Sequence, residues 1–153
     1  MKDSSLIGVI YPLHQNIIER FLNEDKDIFV KYISRIPTKK SKFRITPGIK
    51  LYFYESVSRK AIVAHATIKS IEFLHIEETI NAYNQKLMIS KNELIEYSKG
   101  RNKKIMILKI DNIKKLDPII PVKCRITMSG RYITKDNLDE IFHINDLDNL
   151  ILI

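Results

Sequence analysis

Residues 43–74 read FRITPGIKLYFYESVSRKAIVAHATIKSIEFL, and their alternation predicts two strands, Ile49–Tyr54 and Ala61–Phe73, joined by a short basic turn at Ser56–Lys60. In the first strand Ile49, Leu51 and Phe53 share one face while Lys50, Tyr52 and Tyr54 share the other. In the second, Ile62, Ala64, Ala66 and Ile68 oppose Val63, His65, Thr67 and Lys69. This is the pattern of strands covered on one side and wet on the other. Small alanines among larger apolar residues suit a tightly curved sheet, where facing side chains share limited room. Pro47-Gly48 ahead of the first strand is a turn dipeptide, because Pro presets φ and Gly tolerates φ > 0. The stretch is expected to be a curved hairpin at the centre of a small barrel.

On the N-terminal side, Leu6–Tyr11 is a short apolar run stopped by Pro12, consistent with a buried strand. From Leu13 the period changes, and Leu13, Ile17, Ile18, Phe21 and Leu22 predict a helix ending near residues 23–25. Ile28–Ile33 reads as a second strand. Ser34–Thr46, with Pro37, five basic side chains and no apolar period, reads as a loop feeding the hairpin. On the C-terminal side, Ile76–Met88 is expected to be helical. Ser90 and Glu93 have the spacing of a capping box for a helix over Lys91–Lys99, which Gly100 stops. Lys104–Ile110 is apolar on both faces, as in a central strand. Ile120, Val122, Cys124 and Ile126 alternate with Lys123, Arg125 and Thr127 as a last strand. Arg131–Ile133 then leads to Thr134, which caps a short helix over Lys135–Phe142. The fold class expected from this order is α+β, with a mixed or antiparallel curved sheet and flanking helices.

At 153 residues the chain is expected to form one domain, 1–153, with the C-terminal helix and apolar tail, 134–153, as an appendage. A single cysteine, Cys124, excludes an internal disulfide framework and points to a reducing compartment. No apolar run is long enough to span a bilayer, and the first residues are too polar for a secretory signal, so no membrane partner and a cytoplasmic location are expected. The tail HINDLDNLILI must dock on the body or on a second copy, which makes a homodimer through that tail one expectation.

The net charge of +8 is unevenly placed. Residues 31–60 hold nine Lys or Arg against one acid, Glu55, and residues 99–125 hold nine against Asp111 and Asp117. The three remaining segments, 1–30, 61–98 and 126–153, are mildly acidic. Two basic blocks brought together by the fold make the footprint of a phosphate-backbone partner, RNA or single-stranded nucleic acid; dispersed, they only solvate a surface. Lys39, Lys40, Lys42 and Arg44 are the phosphate candidates, and Arg59, Lys60, Arg125 and Arg131 extend the basic set. Tyr52 and Tyr54 beside Lys50 could stack bases on an exposed strand face, or could lie under a helix with only the hydroxyl out. His65 shares the hairpin face of Thr67 and forms with it a candidate pocket pair. His14, His65, His75 and His143 have no ligand spacing and the four glycines form no phosphate loop, so no metal and no cofactor are expected.

The order of an apolar strand, a helix, a basic loop, TPGIKLYFYES, KAIVAHATIKSIEF, helices and KKIMILKI resembles the PUA-like superfamily, which includes PUA, ASCH, EVE and YTH domains. The Thr46-Pro47-Gly48 turn and the Ile62–Ile68 strand match its pattern. The continuation PIIPVKCRITMSGRYIT resembles an archaeal family of PUA-like proteins defined only as a domain of unknown function. The resemblance implies a pseudobarrel with an open cleft beside the first helix and the basic loop, receiving RNA or a modified base. It also implies an alternative, since some ASCH members are amidohydrolases of an acylated cytidine that use a Lys, a nearby Thr and a later Glu. Lys31 and Ser34 stand at a similar spacing and would be base and nucleophile. A serine replaces the threonine, and Asn84-Gln85-Lys86 stands where the glutamate would fall. Lys31 reads equally as an ordinary edge-strand lysine.

Overall fold

The computed structural model describes residues 6–33, 44–99, 101 and 103–149. Six strands form one sheet: β1 (Leu6–Leu13), β2 (Ile28–Lys31), β3 (Lys50–Glu55), β4 (Ala61–Leu74), β5 (Ile105–Pro121) and β6 (Arg131–Thr134), in the spatial order β2-β5-β4-β3-β1-β6. β1 and β3 are parallel and every other pairing is antiparallel. The helices are α1 (Gln15–Asn23), α2 (Ile76–Tyr83), α3 (Lys91–Ser98) and the one-turn α4 (Leu138–Ile141). This is the mixed α+β sheet expected from the residue pattern.

The sheet curls on itself. β1 and β2 have three strands between them in the sheet, yet the Tyr11 and Phe29 rings stack with centroids 5.3 Å apart. Breaks in register between β4 and β5 at Ile62/Ala64, His65/Thr67 and Ile68/Ser70 supply the bending, since each bulge increases local twist. The concave side holds the main core, including Val9, Tyr11, Phe29, Leu51, Phe53, Ala66 and Ile68. α1 closes it with Ile18 and Phe21, and Phe21 stacks on Phe53 at 5.2 Å. Arg20 on the outer side of α1 donates to both Glu93 carboxylate oxygens and to the Met88 carbonyl, which ties α1 to the start of α3. The Ser90–Glu93 capping box is present, with Ser90 Oγ accepting from the Glu93 amide and the Glu93 carboxylate from the Ser90 amide.

A second core fills the opposite side of the sheet, and it corrects the reading of the hairpin as half exposed. Tyr52 is 0% and Tyr54 9% exposed, packed with Ile10, Ile62, Leu116, Ile120, Ile133, Ile141 and Phe142. The C-terminal third of the chain folds over that face, so neither tyrosine stands on an open strand surface. The bulge beside Ile62 also moves Ile62 into this second core and Val63 into the main one, against strict alternation.

The strand expected over Ile120–Thr127 is not formed. β5 instead runs through the cis Asp117–Pro118 peptide to Pro121, and residues 122–130 carry no strand. Proline is tolerated there because β2 pairs with β5 only over Met106–Lys109, which leaves the far half an edge. Pro12 likewise lies inside β1, beyond Ile10, where β6 stops pairing. α2 ends at Tyr83 in a 3-10 turn over Asn84–Lys86 rather than continuing to Met88, and Thr134 precedes a 3-10 turn over Lys135–Asn137 before α4. The last four residues of the apolar tail lie outside the described residues.

Candidate nucleic-acid interface

Lys31 is the last residue of β2, opposite Met106 of β5, and is only 9% exposed. Its Nζ lies 5.2 Å from the Tyr11 ring centroid. Burial, and secondarily the positive charge of Arg101, push its amine below the ordinary lysine range. Tyr11 comes from β1. Burial pushes its phenol up, and the neighbouring Tyr132 phenol from β6 adds to the shift.

Next to these residues a cleft of about 390 Å³ opens at one end of the curled sheet. Ile33, Ile71, Phe73 and Met106 form its apolar lining, while Arg44 and Tyr132 supply polar groups. Ile33 and Arg44, which flank residues 34–43 in the sequence, both line it. Ser34, Lys39, Lys40 and Lys42 fall between the two, outside the described residues.

A second hollow of about 500 Å³ lies on the other side of Tyr32, with Arg101 and Lys103 on its lining together with Glu77 and Glu78. The Tyr32 and Tyr97 rings form a tilted pair 5.1 Å apart, and the Arg101 guanidinium carbon is 4.9 Å from each centroid. Lys103 Nζ donates to the Ile33 carbonyl at 3.0 Å. Ile33 thus joins this cation cluster to the cleft. Among the described residues none of Lys31, Arg44, Arg101 and Lys103 forms an ion pair. Unpaired cations beside aromatic rings and an apolar slot can hold phosphates around a stacked base.

The remaining expected site residues are dispersed. Arg59 and Lys60 lie in the β3–β4 turn, at the end of β3 remote from residues 44–47, and Arg59 Nε lies 3.8 Å from the Glu55 carboxylate. Arg131 pairs with Glu140 at 3.4 Å, and Arg125 is exposed in the strandless segment after β5. Lys50, Tyr52, Tyr54, His65 and Thr67 belong to the opposite side of the sheet from the main core. Tyr11, Tyr32, Tyr97, Arg101, Lys103 and Tyr132 were not singled out by local pattern. Their only signal was the second basic block, which contains Arg101 and Lys103.

Across residues 6–135, from the start of β1 to one residue past β6, the sequence matches a family model described as a domain of unknown function (DUF365). The chain belongs to this family. For this DUF365 member, no curated protein sequence gives a match. Its backbone is similar to the crystal structure of ASCH from Zymomonas mobilis, with a TM-score of 0.71 and 12% identity over 88% of this chain and 92% of that one. A tyrosine-to-phenylalanine mutant of the same protein also superposes with a TM-score of 0.71, at 11% identity over 88% and 95% of the two chains. A serine-to-alanine mutant does so at 10% identity over 90% and 95%, again with a TM-score of 0.71. The DUF365 chain therefore has the fold of the ASCH and PUA-like superfamily. No helix among the described residues is long and apolar enough to cross a membrane, and among them no group of three or more His, Cys, Asp or Glu is placed to hold a metal ion.

Proposed function

We propose that this chain binds RNA or single-stranded nucleic acid, with one base in the cleft between Ile33, Arg44 and Tyr132 and the backbone passing over Arg101 and Lys103. The observation that carries this is an apolar cleft of about 390 Å³ with Arg44 on its wall, joined through Ile33 to Arg101 and Lys103, none of these three cations being in an ion pair among the described residues. Likeness of fold to the PUA-like superfamily supports the reading. Lys39, Lys40 and Lys42 fall between Ile33 and Arg44, so they add phosphate contacts. Each neutralised phosphate of a single strand contributes about −0.7 to the slope of log K against log salt. Filter binding of a short RNA at several salt concentrations is expected to show a steep slope, and Arg44→Ala and Arg101→Ala each to reduce its magnitude by about 0.7. Arg59→Ala with Lys60→Ala, at the far end of β3, should leave slope and affinity unchanged. An absence of binding at low salt, or equal effects from the remote pair, would rule the interface out.

A second reading rests on Lys31. A buried lysine with a lowered amine pKa is poised to act as a general base, as in an amidohydrolase of a modified nucleoside with Ser34 as nucleophile. Only the neutral amine accepts a proton, so kcat/KM should rise with pH through the lowered Lys31 pKa and then level off. Lys31→Ala should abolish turnover of an acylated nucleoside, and undiminished turnover in that variant would remove Lys31 from the role.

A further inference from the structure

We propose that Lys50, His65 and Lys114 form a binding site for a phosphate-type oxyanion on the side of the sheet opposite the cleft. His65 is 2% exposed, and its Nδ1 and Nε2 are both buried without a hydrogen-bond partner among the described residues. A neutral imidazole has one donor and one acceptor, and buried polar atoms of this kind are almost always paired. Among the described residues no group fills either role, and the imidazole is thus available to a small ligand.

The surroundings define its charge. Lys114 of β5 stands directly opposite His65, and Tyr52 of β3 is its partner on the other side, with ring centroids 6.4 Å apart. Lys50, two residues before Tyr52, reaches Thr67 Oγ1 at 2.9 Å across the same strand pair. Burial and these two ammonium groups all disfavour the imidazolium. The acid on the neighbouring β5 position, Asp111, pairs with Lys69 at 3.9 Å, and β1 brings only Gly8 and Ile10 alongside Lys50 and Tyr52. Asp111 keeps only its Oδ1 unpaired, and two lysines beside a buried imidazole outweigh it and select an anion. On binding, the oxyanion accepts from both ammonium groups and from the imidazole, and His65 takes up a proton from solvent to become a double donor. Lys50 and its hydrogen bond to Thr67 give way to admit it, which the flexible lysine stem allows.

The site is independent of the cleft, and so is its test. Inorganic phosphate is titrated into the full chain at constant ionic strength while the histidine ring resonances are followed by NMR, with chloride as control. The expected result is a saturable shift of His65 and an upward displacement of its titration, absent at His14, His75 and His143. Lys50→Gln combined with Lys114→Gln should weaken the response about tenfold, since two charge-assisted bonds are lost, whereas Arg44→Ala should not change it. Saturation by a short oligonucleotide at lower phosphate content assigns the site to a nucleic-acid backbone. Saturation by inorganic phosphate alone assigns it to a free phosphate or phosphomonoester. A His65 response to phosphate no larger than to chloride in the unaltered protein overturns the proposal, as does a full response in the double variant.

Discussion

Gly130→Ala is expected to lower the stability of this protein by about 3–5 kcal/mol, from backbone strain and overpacking together. Gly130 sits at φ +78 in the turn that leads into β6, with its amide bonded to the Thr127 carbonyl at 2.8 Å. A Cβ there would lie 2.5 Å from the Ile10 carbonyl oxygen and 2.6 Å from Cδ1 of Tyr11. The oxygen belongs to the β1 backbone and cannot swing away. The ring is stacked on Phe29 and faces Lys31, so it has no room to retreat without opening the core. For a chain of this length the loss corresponds to a fall in Tm of about 10 °C. Gly48→Ala is the matched control. Its φ is +101, also in the positive region, but a Cβ would meet nothing within 4 Å. That change should cost only the conformational part, about 1–2 kcal/mol. Thermal unfolding of the two variants side by side therefore separates strain from collision. Equal losses would show that the turn, and not the packing of Gly130 on Tyr11, sets the cost.

Gly48 also marks where reading the sequence succeeds and where it stops. The Pro47-Gly48 turn, the period-2 strands of the hairpin and the Ser90–Glu93 capping box are local features, set by neighbours a few residues apart, and all three are visible in the residue order. What covers a strand is not local. Lys50, Tyr52 and Tyr54 alternate as a wet face would, but Leu116, Ile120 and Phe142 arrive from more than 60 residues later to bury the tyrosines. β5 runs on past Ile110, where the apolar pattern ends, through Pro118 to Pro121, because the far half of β5 has β4 alone and a proline on such an edge interrupts no second ladder. The cleft is legible only in outline. The uneven charge marks both basic blocks, and Lys31 and Arg44 belong to the first of them. The grouping of Tyr32 with Tyr97 and Arg101 depends on where α3 ends relative to β2, a separation of 65 residues between the hydrogen-bonded tyrosines. Charge division groups Arg59 and Lys60 with Arg44 because they are near in sequence, whereas the fold sets the hairpin turn that holds the first two at the opposite end of β3 from Arg44.

That turn carries the other large effect. Glu55 is 0% exposed, and its carboxylate accepts from the amides of Val57 at 2.6 Å, Ser58 at 3.0 Å and Arg59 at 3.1 Å, and from the Ser58 hydroxyl. The Ser58 hydroxyl first, then these amides, hold its carboxyl down to about 2. The same contacts hold a turn in which Lys60 adopts φ +50, an unfavourable value for a side chain with a Cβ. Glu55→Ala should cost about 2–4 kcal/mol at neutral pH, the loss of several charge-assisted hydrogen bonds partly replaced by water. Because the folded-state value lies below the ordinary 4.5, the stabilisation is complete above about pH 4.5 and disappears as pH falls toward about 2. The stability gap between the natural chain and Glu55→Ala is thus expected to be flat from pH 8 to 5 and to narrow below it. Glu93, held to about 2 chiefly by Arg20, is present in both proteins and cancels in the difference. Denaturant unfolding at pH 7, 5, 4 and 3 measures the gap, and a gap that does not narrow across this window would show that the carboxylate is not what secures the turn. On the proposed interface, folded Glu55→Ala is expected to match the natural chain in RNA binding, since the turn lies at the opposite end of β3 from the cleft. A variant that lost both stability and affinity would instead couple the turn to the binding surface.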